Sequence, residues 1–356
     1  MTTYLLAGGG TAGHVNPLLA VADRIRDREP GATVLVLGTK EGLEARLVPE
    51  RGYELLTIER LPFPRRLNSA ALTFPRRFRE AVAQTRRYIQ DREVDVVVGF
   101  GGYASAPAYR AAHALGVPLA LHEANAKPGF ANRLGARYTR SVGVAFRETR
   151  LPYATWVGMP LRREIEQLDR HSARLEAIRF FGLDDTKPLL LVTGGSTGAR
   201  SINAAVYDGI ASILGAGWQV LHIAGNGSDL VDLGQIDYHL VKYCDRMDLA
   251  IAAANFAVAR AGSATVSEFA AVGLPAVFVP YPVGNGEQRF NAKDAVDAGG
   301  AILIADADFT PAWIAADLTA LLRDRAAIAG MAASMASVGT RDGADRMVDL
   351  LQSARH

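Results

Sequence analysis

Short runs of β-branched residues and leucine recur along the whole chain, separated by stretches in which apolar and polar positions alternate with helical spacing. The runs Thr3–Ala7, Thr33–Leu37, Val94–Gly99, Pro118–Leu121, Ser141–Val144, Leu189–Thr193, Gln219–Ile223, His239–Tyr243, Phe256–Ala259, Ala276–Val279 and Ala301–Ile304 have the length of strands. Amphipathic segments predict helices over Pro17–Arg28, Arg76–Arg92, Ala106–Leu115, Ile202–Leu214, Ala264–Val272 and Glu287–Ala298. Alternation of this kind calls for an α/β protein, with parallel sheets covered by helices on both faces.

The pattern also repeats. LLAGGGTAGHVNP near residue 5 and LLVTGGSTGARSIN near residue 190 share an apolar strand, a glycine-rich turn and a helix, and their glycines Gly8 and Gly194 lie 186 positions apart. Two doubly wound domains, each opening on its own loop, explain that spacing better than one large sheet. A length of 356 residues agrees, because it exceeds one ordinary domain. The expected joint is Trp156–Arg163, where a strand runs into a Gly/Pro turn. This divides the chain into residues 1–160 and 161–340, with a final helical segment, 341–356, free to pack back on the first domain.

Composition narrows the class. Hydrophobic residues make up 49% and charged residues 21%, an ordinary globular balance that points to neither disorder nor a fibrous repeat. Cys244 is the single cysteine, so an intramolecular disulfide and a Cys-based zinc cluster are both excluded; a reducing cytosol is expected. The segment MTTYLLAGGGTAGH has neither the basic region nor the long apolar region of a signal peptide. No apolar run approaches the roughly 20 residues of a spanning helix. Charge is unevenly spread: residues 1–160 hold 22 Lys/Arg against 14 Asp/Glu, and residues 161–356 hold 17 against 23. A basic first half suggests an anionic partner, with lipid headgroups, polyphosphates and nucleic acid all open, alongside the simpler case of an unevenly charged surface.

The candidate chemistry gathers where predicted strands end. Gly8, Gly10 and Gly13 satisfy G-x-G-x-x-G between a strand and a helix. The acidic residue that a dinucleotide fold places about 20 positions further on is not evident. Instead His14 puts an imidazole at the mouth of the helix. Gly99-Phe100-Gly101-Gly102-Tyr103 and His122-Glu123-Ala124-Asn125 follow two further strands. Three strand ends thus offer His14, Tyr103, Glu123 and Asn125 to one crevice. In the second half, Gly194-Gly195-Ser196-Thr197-Gly198 leads into a helix whose N-terminal amides and dipole suit a diphosphate. No G-K-[ST] follows those glycines, which argues against ATP hydrolysis. Arg260-Ala261-Gly262-Ser263-Ala264-Thr265-Val266-Ser267-Glu268 and Gly284-Asn285-Gly286-Glu287-Gln288-Arg289-Phe290-Asn291 place hydrogen-bonding side chains, suited to sugar hydroxyls, at the next strand ends.

With these segments in hand, the chain resembles the MurG family of GT-B glycosyltransferases (glycosyltransferase family 28), enzymes that add N-acetylglucosamine from UDP-GlcNAc to lipid I in peptidoglycan synthesis. GGGTAGHVNP, GGYASAP, HEANAKPGFAN, GGSTGARSIN, RAGSATVSE and PVGNGEQRFNA carry the resemblance and run in order from residue 8 to 292. It implies two Rossmann-like doubly wound parallel-sheet domains facing across a cleft. It implies inverting transfer to the C4 hydroxyl of the MurNAc in lipid I, giving lipid II for cell wall biogenesis, cell shape and cell division. Thr11, Gly13, Tyr103 and Asn125 are then expected on the acceptor side. Asn125, Arg162, Gly195, Ser196, Asn203, Cys244, Ala264, Thr265, Glu268, Glu287 and Gln288 are expected around the donor, with Glu268 on the ribose and Gln288 on sugar hydroxyls. Two positions depart from the family pattern: Met159 stands where Asn is frequent, and Glu287 replaces a frequent Gln.

His14 is the preferred general base and Glu123 its rival, while contact with the acceptor diphosphate is a third role open to His14. No D-x-D motif accompanies the glycine loops, so neither a metal nor another cofactor is expected. Leu61–Tyr88 interleaves Phe63, Leu72, Phe74 and Phe78 with Arg65, Arg66, Arg76, Arg77, Arg79, Arg86 and Arg87. No RNA or DNA module accompanies this mixture. It suits an anionic membrane surface, and hence a peripheral position on the cytoplasmic face of the cell membrane; a solvated amphipathic helix with its Phe residues in the core is the plain alternative. Partner proteins of cell-wall synthesis are also open. The competing functions are another GT-B transferase acting on a glycolipid or antibiotic, a UDP-GlcNAc 2-epimerase-like enzyme, and a non-catalytic nucleotide-sugar-binding protein.

Overall fold

The computed structural model describes residues 1–64, 69–283 and 286–354, without the side chains of 69–71. Arg65 and Arg66 of the basic stretch, Gly284 and Asn285 of the second-half loop, and the last two positions of 341–356 lie outside the described residues. The chain divides into two compact units, Met1–Arg163 with Arg341–His356, and Glu164–Thr340.

The first unit is built on strands β1 (Thr3–Ala7), β2 (Thr33–Gly38), β3 (Glu54–Thr57), β4 (Val96–Gly99), β5 (Leu119–Glu123), β6 (Ser141–Val144) and β7 (Ala154–Trp156). They pair in the order β3-β2-β1-β4-β5-β6-β7, all parallel. In the second unit β8 (Leu189–Thr193), β9 (Gln219–Ile223), β10 (Tyr238–Val241), β11 (Phe256–Ala259), β12 (Ala276–Phe278) and β13 (Ala301–Leu303) pair in the order β10-β9-β8-β11-β12-β13, again all parallel. The two sheets therefore follow one winding rule, and each turns back beside its first strand, between β1 and β4 and between β8 and β11. Ligands of open α/β sheets gather at the carboxyl ends of strands at such a point.

The central strands β1, β4, β8 and β11 are buried nearly throughout, because helices cover both faces and each side chain meets apolar neighbours whichever way it points. Two strands fall outside the apolar runs of the sequence. β3 reads Glu-Leu-Leu-Thr, with only Leu56 buried. β7 is a three-residue edge strand with no buried side chain. Both are recruited by a neighbour's backbone rather than by their own hydrophobicity. The single helix expected over Glu287–Ala298 is two short ones, Glu287–Asn291 and Lys293–Asp297.

The C-terminal helix Gly343–Ala354 belongs to the first unit. It sinks Met347, Val348 and Leu351 into the core beside helix Ala12–Arg28. Arg24–Asp345 and Arg28–Asp349 ion pairs, both 2.8 Å, join the two helices at the rim. A Cβ at Gly343 would stand 2.4 Å from the Met159 carbonyl oxygen, so the helix starts against that backbone. Met159, where the family pattern frequently has Asn, is 3% exposed.

Candidate active site

In the first unit, the loops after β1, β4 and β5 surround a cavity of about 520 Å³. Thr11, His14, Tyr103, Glu123 and Asn125 all line it; Gly13 lies beside them in the first turn of helix Ala12–Arg28. Part of the lining is aromatic. Phe63, Phe74, Phe78 and Phe130 form this part, and the Phe63 ring lies 4.3 Å from that of Phe130 and 5.5 Å from that of Phe74.

The loops interlock through their backbones. Gly102 has φ +80°, and a Cβ there would fall 2.4 Å from the Gly9 carbonyl oxygen; only glycine permits both the conformation and the approach. His14 stands on the first turn of its helix, with Nδ1 3.3 Å from Thr11 Oγ1. Burial holds its pKa below the ordinary imidazole value, and the nearby carboxylates of Glu123 and Glu44 oppose that shift. The ring is consequently neutral at pH 7, with a lone pair able to take a proton. Arg60 places its guanidinium 5.1 Å from the centre of the Tyr103 ring.

Glu123 is 2% exposed and has no idle oxygen. Its Oε1 accepts from the Asn125 amide at 2.9 Å and from Asn125 Nδ2 at 3.4 Å. Oε2 accepts from the Gly129 amide at 2.9 Å and from Asn132 Nδ2 at 3.0 Å. Tyr109 extends the network by donating to Asn132 Oδ1 at 2.6 Å, and burial pushes its phenol pKa up. A carboxylate with four accepted hydrogen bonds has filled its capacity. Glu123 thus shapes the 123–129 loop and contributes negative charge beside His14.

The second unit holds a larger cavity, about 1080 Å³, over the loop after β8 and the N-terminus of helix Arg200–Gly215. Of the expected donor residues, Gly195, Asn203, Thr265 and Gln288 line it. Ser196 is in the same loop and exposed, and its carbonyl accepts from the Asn226 amide at 3.3 Å. Ala264 and Glu268 lie on helix Ser263–Val272, Glu287 opens the next short helix, and Cys244 sits in the turn after β10, with its thiol pKa raised by burial; none of these four lines the cavity. Arg162 belongs to the first unit. The loop after β8 meets the loop after β9 backbone to backbone: Gly198 has φ +82°, and a Cβ there would lie 2.1 Å from the Ala224 carbonyl oxygen. Asn203 is 5% exposed. It donates from Nδ2 to the Ala224 carbonyl at 2.8 Å, while its Oδ1 lies 3.1 Å from His222 Nε2. Gln288 Oε1 accepts from the Tyr281 amide at 2.9 Å, leaving the side-chain NH₂ as its donor toward the cavity.

Several lining residues went unassigned in the sequence. Arg260 lies inside a quoted motif without a role of its own. In the structure it donates to Val279 and Pro280 carbonyls, to Asp306 and to Ser201 Oγ. Asp306 follows a strand end, a positional signal available in the sequence, whereas its partnership with Arg260 and Ser201 is not. Asn132 closes the quoted segment HEANAKPGFAN without a role of its own, and Glu44, behind the cavity lining, comes from a position with no motif. Among the described residues, no three His, Cys, Asp or Glu side chains converge as metal ligands, and no helix is long and apolar enough to cross a membrane.

Comparison with known proteins adds the following. Residues 4–144 match the glycosyltransferase family 28 N-terminal domain and residues 189–347 its C-terminal domain. A UDP-N-acetylglucosamine–N-acetylmuramyl-(pentapeptide) pyrophosphoryl-undecaprenol N-acetylglucosamine transferase of Leifsonia xyli is 63% identical, over 99% of both chains. The enzyme of the same name from Streptomyces coelicolor is 46% identical, over 98% of this chain and 97% of its own. The crystal structure of Acinetobacter baumannii MurG superposes with a TM-score of 0.80 at 27% identity, over 99% of this chain and 100% of that one. A calicheamicin glycosyltransferase reaches 0.66 at 17% identity, over 99% of this chain and 98% of its own, a likeness of fold alone.

Proposed function

The chain belongs to glycosyltransferase family 28, and from that premise we propose that it transfers N-acetylglucosamine from UDP-GlcNAc to the C4 hydroxyl of the MurNAc of lipid I, forming lipid II. The observation that carries the site assignment is the convergence of His14, Tyr103, Glu123 and Asn125 on one cavity that is also lined by Phe63, Phe74, Phe78 and Phe130. Such a chamber offers polar contacts for a sugar and diphosphate and an apolar face for a lipid-linked end. In the second unit, the glycine loop and helix N-terminus suit the donor diphosphate, with Asn203, Thr265 and Gln288 facing the same cavity. Glu268, Ser196 and Arg162 complete the donor set by family resemblance.

The step is a single displacement. The acceptor oxygen bonds to the anomeric carbon of GlcNAc as the bond from that carbon to the UDP phosphate oxygen breaks, with inversion. The hydroxyl proton passes to the His14 imidazole, and UDP leaves with the bonding electron pair. A base at the hydroxyl and fixed dipoles at the leaving diphosphate are the two demands of this chemistry. His14 fits the first better than Glu123, whose oxygens are already occupied. Helix Ser69–Asp91 exposes Arg79, Arg86 and Arg87 as well as Leu72, a mixture that suits peripheral attachment to an anionic membrane surface.

The test is incubation with UDP-[14C]GlcNAc and a short-chain lipid I analogue. Label is expected in the analogue. Release of UDP with no labelled analogue would overturn the acceptor assignment.

A further inference from the structure

Glu44 is fully buried, opens the short helix Glu44–Glu50, and no role in the chemistry above requires it. Its Oε1 accepts from the Thr39 amide at 2.9 Å and from Thr39 Oγ1 at 2.8 Å. Its Oε2 accepts from the Gly10 amide at 2.8 Å. Three glycines make room for it: a Cβ at Gly9, Gly38 or Gly42 would stand 2.3, 2.5 or 2.0 Å from an atom of the Glu44 side chain. The chain therefore keeps side chains away from three sides of one carboxylate, and no Lys or Arg among the described residues pairs with it. Leaving a carboxylate in such a place is costly unless something answers its charge. The group that can do so is His14, four residues past Gly10 of the same loop, which becomes an imidazolium when it accepts a proton.

We infer that Glu44 is a positioning residue for the transfer: its carboxylate anchors the loop after β1 and, together with Glu123, stabilises the positive charge that develops on His14 as the acceptor hydroxyl is deprotonated. The charged groups acting on His14 are Glu123 at the end of β5 and Glu44 below the glycine loop; Tyr103 lines the same cavity, with the Arg60 guanidinium over its ring. The lowered pKa of His14 carries opposing contributions from both carboxylates, in keeping with this arrangement.

The inference rests on His14 acting as the base, and the experiment separates the two claims. The pH profile of kcat is measured at saturating donor and acceptor for wild type, His14→Ala, Glu44→Gln and Thr39→Val. If His14 is the base, His14→Ala lowers kcat by about 10²–10⁴-fold and abolishes the acid limb; retained turnover with the limb intact would overturn the base reading. Removing the Glu44 charge destabilises the imidazolium, so Glu44→Gln should move the acid limb to lower pH by about one unit and lower the plateau about tenfold, with the KM for UDP-GlcNAc unchanged. Thr39→Val keeps the charge but removes one hydrogen bond, and its acid limb should stay at the wild-type pH. A Glu44→Gln limb at the wild-type position, or an equal shift in Thr39→Val, would show that loop order alone is at stake and would overturn the Glu44 inference while leaving the base reading standing. Should Glu44→Gln not fold, Glu44→Asp retracts the charge by one methylene and should move the limb in the same direction by less; an unmoved limb there is equally fatal to the inference.

Discussion

Protonation of His222 should weaken the second unit well above the pH at which acidic side chains titrate. His222 lies on β9 with no exposed surface. Its Nδ1 is 2.9 Å from the Tyr238 hydroxyl and its Nε2 is 3.1 Å from Asn203 Oδ1. Since an amide oxygen can only accept, Nε2 carries the hydrogen and Nδ1 accepts from Tyr238. Burial lowers the imidazole pKa to about 4, against roughly 6.5 in the unfolded chain. The folded value is depressed, so the neutral ring contributes stability above the unfolded pKa. That contribution falls away as pH drops from 6.5 toward 4. At about 1.4 kcal/mol per pH unit the full loss is roughly 3 kcal/mol, of which about 2 kcal/mol falls between pH 7 and pH 5. The assay is urea denaturation of the whole chain at several pH values, followed through the fluorescence of Trp218, which is buried in the same unit. His222→Gln preserves hydrogen-bonding capacity but has nothing to titrate, so its stability should decline less steeply than wild type between pH 7 and 5. Parallel pH dependences for variant and wild type would refute the reasoning, whatever their offset.

Two other outcomes are expected. Leu351→Ala, which removes a fully buried side chain from the C-terminal helix, should cost the first unit about 2–5 kcal/mol, read as a lower urea midpoint. Reversing Arg79, Arg86 and Arg87 to Glu should weaken binding to phosphatidylglycerol vesicles by an amount that shrinks as salt is raised, at about 1 kcal/mol for each charge near the surface; flotation assays with unchanged binding would remove the membrane role of this face.

Much of this architecture is legible in one dimension. β1, β6, β8, β9 and β11 were bounded by their apolar runs, because a strand covered on both faces must be apolar at nearly every position. The glycine-rich turns marked where those strands end, and the wound sheet brings their ends to one edge. Hence His14, Tyr103, Glu123 and Asn125 were assigned to one crevice from their positions after strands, and they line one cavity. β3 and β7 were not legible, since an edge strand is held by a neighbour's hydrogen bonds and needs little apolar content of its own.

What a side chain does within its site was decided by contacts that only the folded chain makes. Glu123 reads as a candidate base in the sequence, yet its capacity is consumed by Asn125, Gly129 and Asn132. Glu44 carries no motif, but folding places it under Gly10 and within electrostatic reach of His14. Periodicity and glycine spacing therefore settled the central strands, the doubly wound class and the strand ends that carry chemistry, because these follow from local sterics and one-dimensional burial patterns. Hydrogen-bond saturation and local charge came only from the tertiary structure, because they depend on how a loop folds back on its own carboxylate, as at Glu123, or on a segment 34 positions away, as between Glu44 and Gly10.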